Sequence, residues 1–498
     1  MLTGQYLRLL NFTEHPFGKH AAEKEELLQR YFVQPRYFSE ALGEARHPKS
    51  YVVFGPRGGG KSAIRSMIQT YCNDPRAAND IGGEVLSITY DDFSALNLRQ
   101  LGSITLGDHV NEILKRGVPK LVVSLVDQGK VGDELPTDVL GLLRWYIDEY
   151  MSDLSRLEID EIMRSLRTRA ETAKRLLGDA TKVYNTVISV LKLEKIEPTQ
   201  PVDTPRARRD ANSSMHVLEV FVRLAVQVGY TAVYVLVDRV DETDETGGDS
   251  SKAARLVHTL ITNIRLLEID SCAFKLFLWD KVRSHFGEDL RQDRIAMKQT
   301  EWTDVDLKRM LELRIKAYSS DRTAVVDLFE PVLRPTITDA LIYLGHKSPR
   351  DVNRLMEAII AEVLPGATEE NPYITLDILH EGITKFAQQR SKELYGEELL
   401  GRLQRLNRIE FTIADVAATF RIAGGQQLDE MTATNRARNL VRAWISSGVI
   451  QQTESVMRKV NGRNRPVNQY VIVDPRVSFL VDSDRFYTTF NLGQAAED

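Results

Sequence analysis

The sequence is poor in cysteine, with only Cys72 and Cys272 in 498 residues. That excludes a disulfide framework and the paired spacing of a zinc site, and it fits a reducing cytosol. No apolar run approaches the ~20 residues needed to cross a bilayer. The opening MLTGQYLRLLNF lacks the long apolar core and small-residue cleavage site of a signal peptide. A cytoplasmic protein is expected. Charge of one sign is also missing: 65 basic residues stand against 70 acidic ones, a net charge of −5. Any basic surface must therefore be local. No repeat of solenoid length is visible. Hydrophobic content of 43% and charged content of 27% are those of a globular protein, and the length predicts roughly three domains.

What is present begins with YVVFGPRGGGKSAIRSMI, Tyr51 to Ile68. A strand-forming run leads into Gly55, Pro56, Arg57, Gly58, Gly59, Gly60, Lys61 and Ser62, and then into a helix with Ile64, Met67 and Ile68 at helical spacing. The pattern is the phosphate-binding loop. Glycines let backbone N–H groups converge on phosphate oxygens where a Cβ would block them. The helix adds its positive N-terminal end. Lys61 is expected on the β- and γ-phosphates and the Ser62 hydroxyl on Mg²⁺, so ATP and Mg²⁺ are the expected cofactors.

Such a site also needs a carboxylate at a buried strand end to hold the metal, and a polar group to orient the attacking water. YTAVYVLVDRVDET supplies both types: Val233–Val237 reads as a buried parallel strand, Asp238 ends it, and Asp241 and Glu242 follow. A second apolar strand, FKLFLWD, ends in Asp280. Asp280 reads equally as a sensor of the γ-phosphate and as a simple strand end. Downstream, Trp302, Leu307, Met310, Leu311 and Ile315 stand at helical spacing and mark an amphipathic helix. In GHKSPRDVNRLMEAII, Ser348 suits an N-cap and Pro349 the first helical position. Arg350 would then sit in the first turn with Arg354 one turn on, where a cation opposes the helix dipole unless an anion faces it. Two stretches, 197–214 and 241–252, read as loops. Between Asn97 and Ile196 the chain reads as mostly helical.

The order of phosphate loop, Asp-ending strand, polar-ending strand and Pro-Arg helix resembles the AAA+ ATPases, above all the origin-recognition/initiator branch. It is also similar to bacterial relatives and to the KAP and STAND NTPases. The resemblance implies that HPFGKHAAEKEELLQRYFVQP lies near the adenine and that Asp280 sits at the first sensor. It makes Arg350 the arginine of the second sensor, and Arg291 and Arg294 the candidates for an arginine finger. The sequence departs from the usual pattern at Arg239, where the Walker B Asp is ordinarily followed at once by the catalytic Glu. Asp241 or Glu242 could orient water if the chain bends back there; otherwise hydrolysis is expected to be slow and the protein a nucleotide-dependent switch.

From about Leu400 the pattern changes. FTIADVAATF, capped by Thr412, and TATNRARNLVRAWISSGVI read as two helices. IQQTESVMRKV and VNQYVIVDP, on either side of NGRNRP, read as a two-stranded wing, so a winged helix is expected. Between Leu400 and Phe479, 12 basic residues outnumber 6 acidic ones, against −5 for the whole chain. Asn435, Arg436 and Arg438 fall on the expected recognition helix and Arg463 and Arg465 on the wing, the places where duplex DNA is contacted. Winged helices also dock proteins.

The expected fold class is α/β: a P-loop AAA+ core with a parallel sheet and a large helical insert, a helical lid and a C-terminal winged helix. The expected domains are an N-terminal segment flanking the nucleotide site (1–48), the core (49–300, insert 97–214), the lid with the second sensor (301–385) and the winged helix (386–498). The expected function is an oligomeric ATPase acting as a nucleotide-controlled DNA-binding switch or loader. The alternative is a signalling ATPase of an anti-phage or conflict system that binds partner proteins and controls an effector on another chain.

Overall fold

The computed structural model describes residues 3–19, 21–97, 101–128, 136–151, 159–160, 211–363, 368, 371–423, 426–460 and 463–492. The chain divides into two compact units, Gln34–Glu301, and Met1–Val33 together with Trp302–Asp498.

The Gln34–Glu301 unit is α/β. Its sheet has five strands, β1 (Tyr51–Gly55), β2 (Val85–Tyr90), β3 (Ala232–Val237), β4 (Cys272–Trp279) and β5 (Ala296–Gln299), in the order β2-β3-β4-β1-β5. Every pairing is parallel. All residues of β1, β3 and β4 are buried, which is why they read as apolar runs, broken only by Lys275 in β4, rather than as alternation. Val233, Val235 and Val237 belong, with Phe274 and Leu276, to the core shared with helices Leu106–Gln128, Ala211–Gln227 and Ser250–Ile261. The helix after the phosphate loop, Lys61–Asn73, packs on β2 and β4 and buries Ile64, Met67 and Ile68. The stretch 197–214 does not end as a loop: the helix preceding β3 starts at Ala211, so Ala211–Ser214 form its first turn. Ser and Asn suit a helix start as well as a loop, and composition alone does not separate the two. Most of the expected helical insert, including 161–210, lies outside the described residues.

In the other unit, Thr303 and Asp306 form a capping box that starts the helix Asp304–Ser319, whose Leu307, Met310, Leu311 and Ile315 are buried. Arg314, on the same helix, is buried among the rings of Phe17, Tyr31 and Tyr318. Its guanidinium donates to the Tyr31 hydroxyl (2.7 Å) and pairs with Glu25, which ties the N-terminal residues to this helix. Ser348 accepts the Asp351 N–H (3.2 Å) at the start of the helix Pro349–Val363. Asp351 is itself buried, taking Arg476 Nη1 at 2.6 Å and Arg390 Nε at 3.1 Å. Arg476 also holds Asp474 through two bonds, of 2.9 and 2.7 Å.

Beyond Gly396 come helix Glu397–Leu406, strand Glu410–Thr412, helix Ile413–Thr419, helix Glu430–Ser446, strand Ile450–Gln452, an antiparallel ribbon of Val456–Val460 with Arg463–Val467, and strand Gln469–Ile472. The last strand pairs antiparallel with both Glu410–Thr412 and Ile450–Gln452. Thr412 caps its helix through a capping box with Asp415. Leu403, Phe411, Val416, Val441, Trp444 and Ile472 share one core.

Candidate functional site

The C-terminal ends of three parallel strands carry the candidate chemistry, the position at which open α/β sheets bind ligands. β1 ends at Gly55, whose register partner on β4 is Trp279. The phosphate loop follows Gly55, Asp238 follows β3 and Asp280 follows β4.

Two glycines of the loop are dictated by local structure. A Cβ on Gly55 would lie 2.0 Å from Thr300 Oγ1, so the close approach of β1 to the residue after β5 admits no side chain. Gly60 has φ +87°, in the left-handed region, and directly precedes the helix Lys61–Asn73. No side chain caps that helix at Gly60, and the first N–H groups of an uncapped helix are suited to an anion.

Lys61 is buried and donates to the carbonyls of Gly55 (2.9 Å) and Pro56 (3.0 Å), so its ammonium lies along the loop. The Arg239 N–H donates to Asp238 Oδ1 (2.9 Å), and the Ser62 hydroxyl is near enough to the same carboxylate to favour its charged form. Burial pushes the Asp238 carboxyl above its ordinary range. The Arg65 guanidinium, the Ser62 hydroxyl and the Arg239 N–H act in the opposite direction. Arg65 Nε is 3.1 Å from Asp238 Oδ2, with both side chains 2% exposed. Sequence reasoning missed Arg65. Its signal was the spacing Ser62-x-x-Arg65, which puts both on one helix face.

The chain does bend back after β3. Arg239 takes φ +59°, and Glu242 N–H closes a turn on the Arg239 carbonyl (3.0 Å). The bend delivers Asp241 rather than Glu242 to the loop. Arg57 Nε donates to Asp241 Oδ2 (2.7 Å) and Arg57 Nη2 to the Asp241 carbonyl (2.6 Å). The same guanidinium lies 4.6 Å from the Trp279 ring centre. Asp241 is buried. Glu242 is half-exposed, 3.7 Å from Arg239. Asp280 accepts a long hydrogen bond (3.4 Å) from Gln299 on β5.

Arg291 pairs with Asp293 (2.8 Å) and Arg294 with Glu268 (2.6 Å), both at the surface. Arg350 and Arg354 differ in environment. Arg354 forms a two-bond pair with Glu393 (2.7 and 2.6 Å), whereas Arg350 is exposed in the first turn of its helix.

Asn435, Arg436 and Arg438 all fall on the helix Glu430–Ser446, but they do not share a face. Ala433, Ala437, Leu440, Val441 and Trp444 are buried. At 100° per residue the opposite side carries Met431, Asn435, Arg438, Arg442 and Ile445, all exposed. Arg438 Nη1 donates to Asn435 Oδ1 (3.3 Å). Arg436 is half-buried on the flank. Arg442 was not singled out from the sequence, although its i+4 spacing from Arg438 was legible. Arg463 and Arg465 lie on the ribbon, Arg465 opposite Arg458 in register.

These features define an α/β fold built on a parallel sheet, with a candidate site at the carboxyl ends of β1, β3 and β4. No family model matches the sequence, and no curated protein matches it. Among solved structures, the chain is similar to the Aeropyrum pernix ORC1 protein, whose structure was determined in complex with DNA. The identity is 12%, over 95% of this chain and 98% of that one, with a TM-score of 0.33. Among the described residues, no helix is long and apolar enough to cross a membrane, and no group of three or more His, Cys, Asp or Glu side chains could hold a metal ion.

Proposed function

We propose that this chain is a Mg²⁺-dependent ATPase of the AAA+ type whose nucleotide state controls how its C-terminal module engages duplex DNA. The observation that carries the reading is the meeting of the phosphate-loop helix with the β3 end, where Arg65 holds Asp238 at 3.1 Å and Lys61 bonds the Gly55 and Pro56 carbonyls. A hydroxyl and a carboxylate are hard oxygen donors suited to Mg²⁺, and the glycine loop supplies converging N–H groups for phosphate. Ser62 and Asp238 would hold the ion, which supplies charge neutralisation on the transferred phosphoryl group. Lys61 would turn from the Gly55 and Pro56 carbonyls to the β- and γ-phosphates. One of Asp241 and Glu242 would orient the attacking water, Asp241 once Arg57 leaves it or Glu242 once it turns from Arg239.

The C-terminal module is read as a winged helix, with Glu430–Ser446 as the recognition helix and the ribbon as the wing. Asn435, Arg438 and Arg442 on one exposed face support nucleic-acid binding, since Arg and Asn are the residues that pair with phosphates and base edges. Exposed Ile422, Met431 and Met457 favour a second reading, in which the same module docks a protein. In the first reading Arg350 is the second-sensor arginine and nucleotide sites drive self-assembly.

Binding of labelled ATP and release of phosphate by the purified chain, with and without Mg²⁺, test the enzymatic half. Lys61→Ala should remove most ATP affinity, and Asp238→Asn should remove the Mg²⁺ dependence. A folded Lys61→Ala variant that binds ATP as the parent does would refute it.

A further inference from the structure

Arg57 occupies a position that the phosphate-loop pattern leaves unspecified, yet its side chain joins the ends of all three site strands. It stands on the loop after β1, bonds both the carboxylate and the backbone carbonyl of Asp241 after β3, and stacks on Trp279 at the end of β4. Lys281 lies over the same ring, 5.3 Å from its centre. The two partners are unequally placed: the Asp241 side chain is 6% exposed and that of Arg57 40% exposed. Arg57 can therefore rotate without losing much packing, while Asp241 stays where it is.

The γ-phosphate end of the proposed nucleotide site is marked by Ser62 and Asp238. Arg57 bonds Asp241, three residues beyond Asp238, so in that reading it would lie toward the γ-phosphate. A carboxylate offers this guanidinium one negative charge, whereas a terminal phosphate offers more charge in the same fork geometry, which Arg matches with two parallel bonds. A diphosphate places its charge one phosphate further away.

We propose that Arg57 is the residue by which the loop distinguishes a nucleoside triphosphate from a diphosphate. With a γ-phosphate present, the guanidinium leaves Asp241 and Trp279 for the phosphate. The loop beginning at Arg239 then loses this tie to the phosphate loop, because the Asp241 carbonyl is bonded by the same guanidinium. Arg57 is a specificity-determining residue in this account, and Asp241 is the tether it is taken from. The assignment rests on the ATP-binding reading above.

The test is equilibrium dialysis of full-length protein with labelled ATP and labelled ADP, alongside tryptophan fluorescence. The parent should favour ATP, and Arg57→Ala should lower ATP affinity about tenfold or more while leaving ADP affinity unchanged, a loss of about 1.4 kcal/mol. Asp241→Asn should act in the opposite direction, raising the ATP-to-ADP affinity ratio, because the weakened tether releases Arg57 more easily. A merely structural pair would make both substitutions harmful to both nucleotides. A non-hydrolysable ATP analogue with Mg²⁺ should change the emission, ADP should not, and Trp279→Phe should abolish the change. An unaltered ATP-to-ADP ratio in both variants, or an equal fluorescence change with ADP, would overturn the role of Arg57 alone. Absence of any nucleotide binding by the parent would overturn it together with the reading it rests on.

Discussion

Arg65 and Asp238 form an ion pair of 3.1 Å in which neither side chain is more than 2% exposed. A buried pair of this kind fixes geometry more than it adds stability, since desolvation offsets most of the attraction. It holds the carboxylate that ends β3 against the face of the phosphate-loop helix that also carries Ser62. Removing one partner strands a buried charge. Arg65→Met should therefore lower stability by roughly 3–5 kcal/mol, and the double change Arg65→Met with Asp238→Asn should cost less than the single one. Urea unfolding of the parent, the two single variants and the double variant measures this. Additive losses would show that the two side chains are not coupled.

Asp241 and Glu242 should separate in function. Glu242→Gln leaves every bond to the phosphate loop in place, so ATP binding should persist while turnover slows roughly tenfold or more. Steady-state hydrolysis alongside ATP dialysis checks it. Parental turnover would put the water-orienting group elsewhere.

Arg350 and Arg354 should also behave differently. Arg350→Ala should still bind ATP but lose the dependence of assembly on whether ATP or ADP is present, read by size-exclusion profiles in each nucleotide. Arg354→Ala removes a partly exposed pair with Glu393 and should cost about 1 kcal/mol or less, with assembly unaffected. Identical profiles for parent and Arg350→Ala would remove Arg350 from a sensing role.

Burial pushes the Lys275 ammonium on β4 down from 10.5 to about 7. It is 1% exposed, donates to the Lys49 carbonyl (2.7 Å) and lies over the Tyr234 ring. Between those two pKa values the unfolded chain binds more protons than the folded one, so stability attributable to this group rises with pH from about 7 to about 10. Lys275→Met should raise stability at pH 7, by on the order of 3 kcal/mol. Its advantage should shrink by pH 9.5. Urea unfolding at both values checks it, and an equal advantage at the two pH values would contradict the charge argument.

The parts of the fold legible in the sequence were those whose local chemistry leaves few choices. In the phosphate loop Gly55 and Gly60 have steric reasons, β3 is an unbroken apolar run ended by Asp, and β4 is apolar but for Lys275. β5 was not legible: Ala296–Gln299 is short and lies partly at the surface, so no apolar pattern marks it. Strand Glu410–Thr412 has three residues, too few to show a period. The Arg57–Asp241 and Arg65–Asp238 pairs are invisible locally because their members meet only when β1 and β3 enter one sheet. The faces of the Glu430–Ser446 helix were legible in principle. Clustering arginines by number groups Arg436 with Arg438, whereas the helical period groups Arg438 with Arg442.

The central claim is that nucleotide state controls engagement of duplex DNA, and its most direct test is a salt titration of DNA binding by the full-length chain in Mg²⁺·ATP and in Mg²⁺·ADP. Binding should be tighter with ATP, because assembly makes the interaction multivalent. Removing one phosphate-neutralising arginine should flatten the slope of log affinity against log salt by about one unit. Arg438→Ala with Arg442→Ala should therefore flatten it by about two, Arg463→Ala with Arg465→Ala should flatten it further, and Arg436→Ala alone should change it least. No binding at low salt, equal binding in ATP and ADP, or an unchanged slope when all four exposed-face and ribbon arginines are replaced would contradict the account and leave the module as a protein-docking surface.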